Sequence, residues 1–385
     1  MSIENYLTRI VHGGEGKVPQ AGAVNVPVYF SSTFKQAGFD NFEGYGYARG
    51  NNPTREALES LIAELEGGKS GFAFASGMAA TQAALSLLHA GDKVIVSRNV
   101  YGGTYDILTQ IFSRYNITFS LENTGNVEEL EDKITEEVKA IFVETPSNPT
   151  LEVTDLEKIA AFAKKHKLLS IVDNTFMSPY LQQPLKYGID IVVESATKYL
   201  GGHSDLIAGV AATNDPELAG KLHQAQAIIG GIIQPFDAFL LTRGIRTLGV
   251  RLDRQVENAE KIVEWLLDQE AVKTIHYPGL KSDPGYEVQK KQARNGGTMI
   301  SFELDDSYDI KVFFNSLKLI TMGASLGGVE SLIGHPVTTS HRSVPEEIKE
   351  KIGITQRLVR LSPGIEYADD IIADLAQAFQ AAKIE

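Results

Sequence analysis

The sequence predicts an α/β fold, in which a mostly parallel sheet covered by helices is followed by a smaller α+β domain. In the first predicted domain, residues 56–250, short apolar runs alternate with amphipathic stretches up to about residue 215, as expected for parallel strands joined by helical crossovers. Beyond about residue 250 this alternation gives way to a mixed pattern. With 385 residues, the chain is long enough for two domains.

Residues 1–55 are predicted to form an N-terminal arm, because they are rich in glycine, aromatic and polar residues and show little periodicity. A helix is predicted to begin near Asn52-Pro53-Thr54 and to end at Gly67-Gly68. Between these limits the apolar residues fall on one helical face: Leu58, Leu61, Ile62 and Leu65.

Seven apolar runs are predicted strands of the main sheet: Gly71–Ala75, Lys93–Val96, Thr118–Leu121, Ala140–Glu144, Leu168–Asp173, Ile189–Val193 and Ile207–Ala212. The helices predicted between them include Thr81–His89, Tyr105–Tyr115, Val127–Ile134 and Asp155–His166. A long helical region near Asp237–Gln269 leads into the smaller domain, 251–385. There, strands are predicted at Met299–Leu304 and near Leu319–Met322, and a final amphipathic helix is marked by Ile371, Ile372, Leu375 and Phe379.

Composition narrows the class of function. The chain has 36 basic and 49 acidic residues, a formal net charge of −13, and no block of Lys or Arg, so nucleic-acid binding and anionic membranes are not expected. It contains no cysteine, which excludes disulfides, zinc ribbons and thiol nucleophiles, and no metal site is predicted. No apolar run approaches membrane-spanning length and residues 1–5 do not open a signal peptide, so we expect a cytoplasmic enzyme.

The most informative residue is Lys198, in the run Glu194-Ser195-Ala196-Thr197-Lys198-Tyr199-Leu200-Gly201-Gly202. It follows the apolar stretch 189–193, with hydroxyl side chains shortly before it and glycines just after it. A buried lysine loses its proton readily, which suits an amine that forms a Schiff base. The alternative interpretation of this segment is a salt-bridged core lysine.

Asp173 ends the preceding predicted strand, at 168–173. An acid and a lysine at neighbouring strand ends match the needs of pyridoxal 5′-phosphate (PLP), because the acid keeps the pyridinium nitrogen protonated and the lysine carries the aldehyde. A phosphate site is predicted at Ser76-Gly77-Met78, where a strand turns into a helix start that exposes N–H groups. Ser195 and Thr197 are candidate hydroxyl donors to the same phosphate, although such residues ordinarily only cap a strand end.

Tyr101 follows the next predicted strand, in the run Val100-Tyr101-Gly102-Gly103-Thr104. A ring at this place is positioned to stack on the cofactor, and its hydroxyl can move protons. An ordinary core tyrosine is the alternative.

Motifs from about residue 10 to 380 resemble, in order, the Cys/Met-metabolism family of PLP-dependent enzymes. They are Tyr47-Ala48-Arg49, Asn52-Pro53-Thr54, Ser76-Gly77-Met78, Tyr101–Thr104, Glu144–Pro149, Asp173-Asn174-Thr175, Ser195–Asp205, Ser325–Gly328 and Arg360-Leu361-Ser362. The resemblance implies PLP fold type I (aspartate-aminotransferase-like). It also implies an amino-acid substrate and a homotetramer built from two active dimers.

The resemblance also implies a role for each site residue. Lys198 would be the catalytic Schiff-base lysine, and Asp173 the partner of the pyridine nitrogen. The phosphate would be held by Gly77, Met78, Ser195 and Thr197, together with Tyr47 and Arg49 of the neighbouring subunit. Tyr101 would stack on the ring and take part in catalysis. Arg360 would bind the substrate carboxylate through two hydrogen bonds, helped by Asn148 and Ser325.

Members of this family share their early chemistry and differ in the bond that they break. Cystathionine γ-lyases and γ-synthases carry acids where this chain has Gly46 and Ala324, and methionine γ-lyases usually carry a cysteine where it has Gly103. Segments 22–34 and 52–59 resemble most closely the cystathionine β-lyases of Gram-positive bacteria. We therefore expect β-elimination from L-cystathionine, with γ-elimination or γ-replacement as the alternatives.

The chain departs from the family pattern at a few positions. Glu194 stands where histidine is common. His341 and Arg342 lie in Thr339–Arg342, where Met-Thr-His-Ala is usual, and Pro363 replaces a common valine.

Other classes of protein fit less well. Gly323–Gly327 matches the G-x-S-x-G nucleophile elbow of serine hydrolases, but His335 and His341 follow Ser325 too closely to lie on separate later strands. Gly44-Tyr45-Gly46 precedes every predicted strand–helix unit and so cannot open a nicotinamide-binding fold. A non-catalytic scaffold would not require the complete set of cofactor residues.

Overall fold

The structure is a computed structural model that describes residues 5–14, 21–41 and 44–384. Within this part of the chain, the larger sheet has seven strands: β1 (Ser70–Phe74), β2 (Lys93–Ser97), β3 (Thr118–Glu122), β4 (Val138–Glu144), β5 (Leu169–Asp173), β6 (Ile191–Glu194) and β7 (Gly209–Thr213). Their order across the sheet is β1-β7-β6-β5-β4-β2-β3. Strands β2 to β6 pair in parallel, and β7 is antiparallel to both of its neighbours.

Helices cover both faces of this sheet. They are α1 (Tyr6–His12), α2 (Pro53–Glu66), α3 (Gly77–Leu85), α4 (Gly102–Gln110), α5 (Val127–Leu130), α6 (Leu156–His166), α7 (Ser178–Leu181), α8 (Pro216–Ile229), α9 (Pro235–Ile245) and α10 (Leu248–Leu266). Short 3₁₀ turns lie at Phe112–Tyr115, Glu131–Lys133 and Pro184–Tyr187. Alternate residues of the strands point to opposite faces, so that Val192 and Val193 enter different apolar clusters.

A second, smaller sheet follows α10. Its region contains β8 (Val272–His276), α11 (Tyr286–Gln292), β9 (Ile300–Leu304), α12 (Ile310–Ser316), β10 (Thr321–Met322), β11 (Leu332–Gly334), α13 (Glu346–Lys351), β12 (Leu358–Ser362) and α14 (Ala368–Ala382). The strand order is β10-β11-β12-β9-β8. Of the described strand pairs in this smaller sheet, β10–β11 is parallel and the others are antiparallel. Phe302, Phe313 and Phe379 form the centre of its own core.

The predicted α/β fold is confirmed, and the main-sheet strands lie within two residues of their predicted bounds. Helix α2 begins and ends as predicted: the Asn52 side chain accepts hydrogen bonds from the N–H groups of Thr54 and Arg55, and Gly67 adopts a left-handed conformation with φ of 68°.

Some elements differ from the predictions. Helix α3 begins at Gly77, four residues before the predicted Thr81, because the Ser76 side chain caps its first turn. The region Asp237–Gln269, predicted as one long helical stretch, contains two helices, α9 and α10. Helix α8 was not predicted from the sequence. The predicted arm contains α1, whose Ile10 packs in the same apolar cluster as Leu58 and Leu61.

The predicted domain limits stay predictions. The limit at residue 250 falls inside α10, which is continuous from Leu248 to Leu266. Of the predicted arm, residues 1–4, 15–20, 42 and 43 lie outside the described residues, as does most of the segment examined for a signal peptide. Among the helices that the structure describes, none has the length and apolar character needed to cross a membrane.

Candidate active site

Lys198 lies in the loop that follows β6, at the carboxyl end of the parallel strands. Its Nζ donates a hydrogen bond to Ser325 Oγ at 2.8 Å. Burial, assisted by the positive charge of Arg360, lowers the pKa of Lys198 to about 8. About a tenth of this amine is therefore unprotonated at pH 7, far more than for a lysine in water, and the unprotonated form is the nucleophile.

The loop after Lys198 is held by close packing against α9. A Cβ on Gly244 would lie 2.3 Å from the carbonyl oxygen of Gly201, so only glycine allows this approach. Arg251 of α10 donates to the Gly244 carbonyl at 2.9 Å. The lysine is thus carried by a rigid segment rather than by a free loop.

Asp173 ends β5, beside both β4 and β6. In the sheet register it is opposite Glu144 on one side and Val193 on the other. Its Oδ1 accepts from the Thr175 N–H at 3.0 Å, and Thr175 Oγ1 accepts from the Ser195 N–H at 2.8 Å. Burial raises the pKa of Asp173, while the hydrogen bonds from Thr175 oppose that change.

The amino terminus of α3 faces the same cleft. Ser76 Oγ accepts from the Ala79 N–H at 3.1 Å, which fixes the first turn. A Cβ on Gly77 would lie 2.8 Å from Ser195 Cβ, so the helix start and the strand-end serine are in direct contact. Thr197 lines the cleft, and its Oγ1 donates to the Ala208 carbonyl at 3.2 Å and accepts from the Ala208 N–H at 3.0 Å, which fixes the position of this hydroxyl in the structure without ligand.

Tyr101 lies beside this helix start. A Cβ on Gly103 would lie 2.6 Å from Cε1 of Tyr101 and 3.0 Å from Met78 Sδ, so the ring and the Met78 side chain both lie against Gly103. Burial raises the pKa of the Tyr101 hydroxyl.

Arg360 reaches the cleft from β12 of the smaller sheet. Its Nη1 donates to Asn148 Oδ1 at 2.9 Å and its Nη2 to the Ser325 carbonyl at 3.2 Å. Burial lowers the pKa of Arg360 to about 10, so the guanidinium keeps its charge at neutral pH. A buried cation held by neutral acceptors is well suited to bind a substrate carboxylate.

These residues surround one cleft of about 240 Å³. Nine of the sequence-predicted residues line it: Gly77, Met78, Tyr101, Asn148, Asp173, Ser195, Thr197, Lys198 and Arg360. Ser325 contacts the cleft through Lys198. Tyr47 and Arg49 do not line it: Tyr47 is 54% exposed, and Arg49 donates to the Ala227 carbonyl.

Glu144 is a site residue to which the sequence interpretation assigned no role. Its two carboxylate oxygens accept from the Tyr101 N–H at 2.8 Å and from the Asn148 N–H at 2.9 Å. Burial and the nearby charge of Asp173 raise the pKa of Glu144 well above its usual range. The sequence signal that could have identified Glu144 is its position at the end of β4, the strand that neighbours the Asp173 strand β5. Thr175, Phe176 and Ser340 also line the cleft without an assigned role.

Comparisons with known proteins agree with this geometry. Residues 7–380 match the family described as Cys/Met metabolism PLP-dependent enzyme. The chain belongs to this family. A cystathionine beta-lyase of Lactococcus lactis subsp. cremoris (strain MG1363) is 48% identical over 97% of this chain and 98% of its own length. A cystathionine gamma-lyase of Bacillus subtilis (strain 168) is 47% identical over the same shares.

A solved structure of the family shares the fold. The cystathionine gamma-lyase of Lactobacillus plantarum, complexed with L-serine, superposes with a TM-score of 0.96 at 44% identity, and covers 98% of this chain and 99% of its own. The predictions of PLP as cofactor and of a PLP-dependent lyase of cysteine and methionine metabolism are thereby confirmed.

The residues of this family member fit PLP. The cleft brings together an amine of lowered pKa, a buried carboxylate and a helix start without a Cβ at Gly77. These are the groups needed by an aldehyde, a pyridinium nitrogen and a phosphate.

Proposed function

We propose that the protein cleaves the bond between Cβ and sulfur of L-cystathionine, releasing homocysteine, pyruvate and ammonia. The observation that carries this proposal is Ala324, which lines the cleft where γ-acting cystathionine enzymes carry an acid. An uncharged wall offers no carboxylate to the distal amino group of the substrate. The name of the Lactococcus lactis relative supports the proposal, and the name of the Bacillus subtilis relative makes γ-elimination the second candidate.

Gly103 supports the exclusion of a methionine γ-lyase. Its Cβ would lie 2.6 Å from the Tyr101 ring, so the cysteine usual in those enzymes would displace the ring from its observed place. The observed position of the Tyr101 ring therefore requires glycine at residue 103.

We assign the following roles within the cleft. Arg360 binds the substrate carboxylate, with Asn148 fixing the guanidinium through the 2.9 Å hydrogen bond. Gly77, Met78, Ser195 and Thr197 would hold the phosphate of PLP, Asp173 its pyridine nitrogen and Lys198 its aldehyde carbon. When bound, PLP supplies the electron sink that makes the Cα proton of an amino acid removable.

Proton movement in the cleft depends on Lys198 and its partners. With its amine free, Lys198 would take the proton from Cα of the substrate as general base. Ser325 Oγ, 2.8 Å from this nitrogen, keeps it aimed into the cleft. Tyr101 is positioned to orient the reacting groups through its ring, and Glu144 fixes the backbone of Tyr101.

We further propose a homotetramer of two active dimers in the cytoplasm. Large apolar side chains of the amino-terminal part are exposed on the isolated chain, among them Val24, Phe30 and Phe39. Large apolar side chains exposed to this degree favour burial against another copy. Tyr47 and Arg49, which do not line their own cleft, are then available to the cleft of the neighbouring subunit.

The deciding experiment identifies the keto acid released from L-cystathionine by the purified holoenzyme, with Lys198→Ala as the inactive control. Pyruvate together with homocysteine supports β-elimination. 2-Oxobutanoate together with cysteine contradicts it and assigns γ-elimination. The variant Ala324→Glu, which introduces the acid of the γ-acting enzymes, is expected to raise the ratio of 2-oxobutanoate to pyruvate.

A further inference from the structure

Two glutamate side chains meet in the interior below the cofactor site. Glu66 is the last residue of α2 and Glu194 the last of β6, and they are only 1% and 2% exposed. Their carboxyl groups are neighbours in this interior, close enough for each to act on the pKa of the other. Within the described part of the chain, neither oxygen of Glu66 accepts a hydrogen bond from any N–H or O–H group, so a proton on Glu194 is the donor that would satisfy one of them. A hydrogen bond between two carboxyl groups requires that one of them is protonated.

Glu194 also connects the two turns that carry the cofactor residues. Its Oε1 accepts from Asn174 Nδ2 at 2.8 Å, and the same nitrogen donates to the Gln182 carbonyl at 2.9 Å. Gln182 Nε2 in turn donates to Asn174 Oδ1 at 3.0 Å. Asn174 directly follows Asp173, and Ser195 directly follows Glu194. The position of the carboxyl pair is thereby coupled to the pyridine partner and to the phosphate serine.

The charged and titratable groups around the pair do not neutralise two carboxylates. Asp173 adds a negative charge from β5, and Tyr6 of α1 lies on the other side, its hydroxyl donating to the Leu65 carbonyl at 3.0 Å. The guanidinium groups of Arg9 and Arg294 lie over the Tyr6 ring, 5.5 and 5.2 Å from its centre. Burial and the charge of Glu66 raise the pKa of Glu194 well above its usual range, and burial raises that of Glu66.

We propose that Glu66 and Glu194 retain at least one shared proton at neutral pH. In this arrangement protonated Glu194 donates to Glu66 and accepts from Asn174, which makes it a positioning residue for the Asp173–Asn174 turn. The histidine common at this position in the family would offer Glu66 a ring N–H, and this chain offers a carboxyl O–H instead. The proposal concerns the holoenzyme itself and is independent of whether the substrate is cleaved at Cβ or Cγ.

A shared proton makes the stability of the protein depend on pH. A carboxyl pair whose pKa values are raised on folding keeps a proton that the unfolded chain releases, so its contribution to stability is present at low pH. That contribution is lost as the pH rises through the folded-state pKa values, and each retained proton raises the unfolding equilibrium constant about tenfold per pH unit. Above that range two facing carboxylates repel and loosen the Asn174 turn.

The test uses Glu194→Gln, whose amide can donate to Glu66 and accept from Asn174 without a proton to lose. Glu64→Gln is the matched control, because Glu64 is on the same helix but partly exposed, with the Gly14 N–H at 3.3 Å. Infrared difference spectra of the holoenzymes at neutral pH are expected to show a protonated carboxyl band that Glu194→Gln lacks and Glu64→Gln keeps. The thermal midpoint of the wild type is expected to fall more steeply with rising pH than that of Glu194→Gln.

The positioning role of Glu194 is tested separately, by measuring how the protein holds PLP. Glu194→Ala is expected to weaken PLP retention and change the circular dichroism of the bound cofactor, and Glu194→Gln to restore both. An unchanged carboxyl band in Glu194→Gln and Glu66→Gln, with thermal midpoints parallel to the wild type between pH 6 and 9, would overturn the shared proton. Cofactor retention in Glu194→Ala equal to that of the wild type would overturn the positioning role.

Discussion

Three interactions act on the side chain of Lys198. Burial and the charge of Arg360 both favour the neutral amine, while the hydrogen bond to Ser325 Oγ fixes its direction. In water a lysine would be almost fully protonated at neutral pH. The site therefore prepares the amine for reaction before substrate arrives.

Lys198→Ala is expected to abolish turnover and covalent cofactor attachment, because no other amine lines the described cleft. Mass spectrometry after borohydride reduction measures the attachment. Lys186→Ala, which removes an exposed lysine that does not line the cleft, is the control for non-specific labelling. Turnover and attachment in the Lys198 variant at wild-type levels would contradict the assignment.

The pKa of about 8 predicts how the apoprotein takes up PLP. Below pH 8 the ammonium form predominates and cannot attack an aldehyde, so the attachment rate is expected to rise about tenfold per pH unit and to level off near pH 8. Stopped-flow absorbance measures this rate. A profile that rises without a break to pH 10 would show that Lys198 keeps an ordinary lysine pKa.

Arg360→Ala is expected to raise KM for amino-acid substrates about 10- to 100-fold, the loss of a charged, two-point hydrogen bond. Arg360→Lys keeps the positive charge but loses the two-pronged guanidinium, so its KM is expected to lie between those of the wild type and of Arg360→Ala. Steady-state kinetics with L-cystathionine checks the order, and an unchanged KM in the alanine variant would place the carboxylate elsewhere.

At the scale of elements, the site is made where strands end and a helix begins. The carboxyl ends of β4, β5 and β6 bring Glu144, Asp173 and the Lys198 loop to one edge, and α3 points its amino terminus at them. Parallel strands and a helix start make such an edge a general place for anionic ligands.

Ser76→Ala removes the side-chain cap of α3 and is expected to lower the free energy of unfolding by about 1 kcal/mol. Because the first turn of α3 also presents Gly77 and Met78 to the phosphate, PLP retention is expected to weaken as well. Denaturant unfolding and cofactor dissociation are measured on the same samples, with Ser113→Ala, away from the cleft, as the control. Unchanged values for both would show that the α3 start is fixed by other contacts.

The sequence allowed the strand ends and their residues to be predicted because local signals mark them. Lys198 and Asp173 each follow a short apolar run, and Asn52 and Gly67 mark both ends of α2. The contact of Glu66 with Glu194 joins residues on α2 and β6 and leaves no local pattern. The same holds for Ser325, which approaches Lys198 from a distant part of the chain.

At the scale of the whole molecule, the cleft of the single chain contains most but not all of the assigned phosphate ligands. Arg49 lies near Ala227 and Gly230 instead of in the cleft. Its assigned role therefore depends on the assembly of subunits, which local sequence motifs can suggest only through resemblance.

Co-expression of Lys198→Ala and Arg49→Ala subunits tests this assembly. If each site combines Lys198 of one subunit with Arg49 of another, mixed dimers contain one intact site, and about a quarter of wild-type activity is expected for random pairing. Each variant expressed alone is the control and is expected to be nearly inactive. Mixed preparations no more active than the separate variants would contradict a shared site.

The cleft has walls from two different parts of the chain: Lys198, Asp173 and Gly77 come from the region of the larger sheet, and Ala324, Ser325 and Arg360 from that of the smaller one. The groups assigned to the cofactor and those assigned to the substrate are therefore encoded in separate stretches of the chain. A substitution at Ala324 can alter the wall offered to the substrate without replacing Lys198, Asp173 or Gly77, so substrate choice can be engineered independently of the residues assigned to the cofactor.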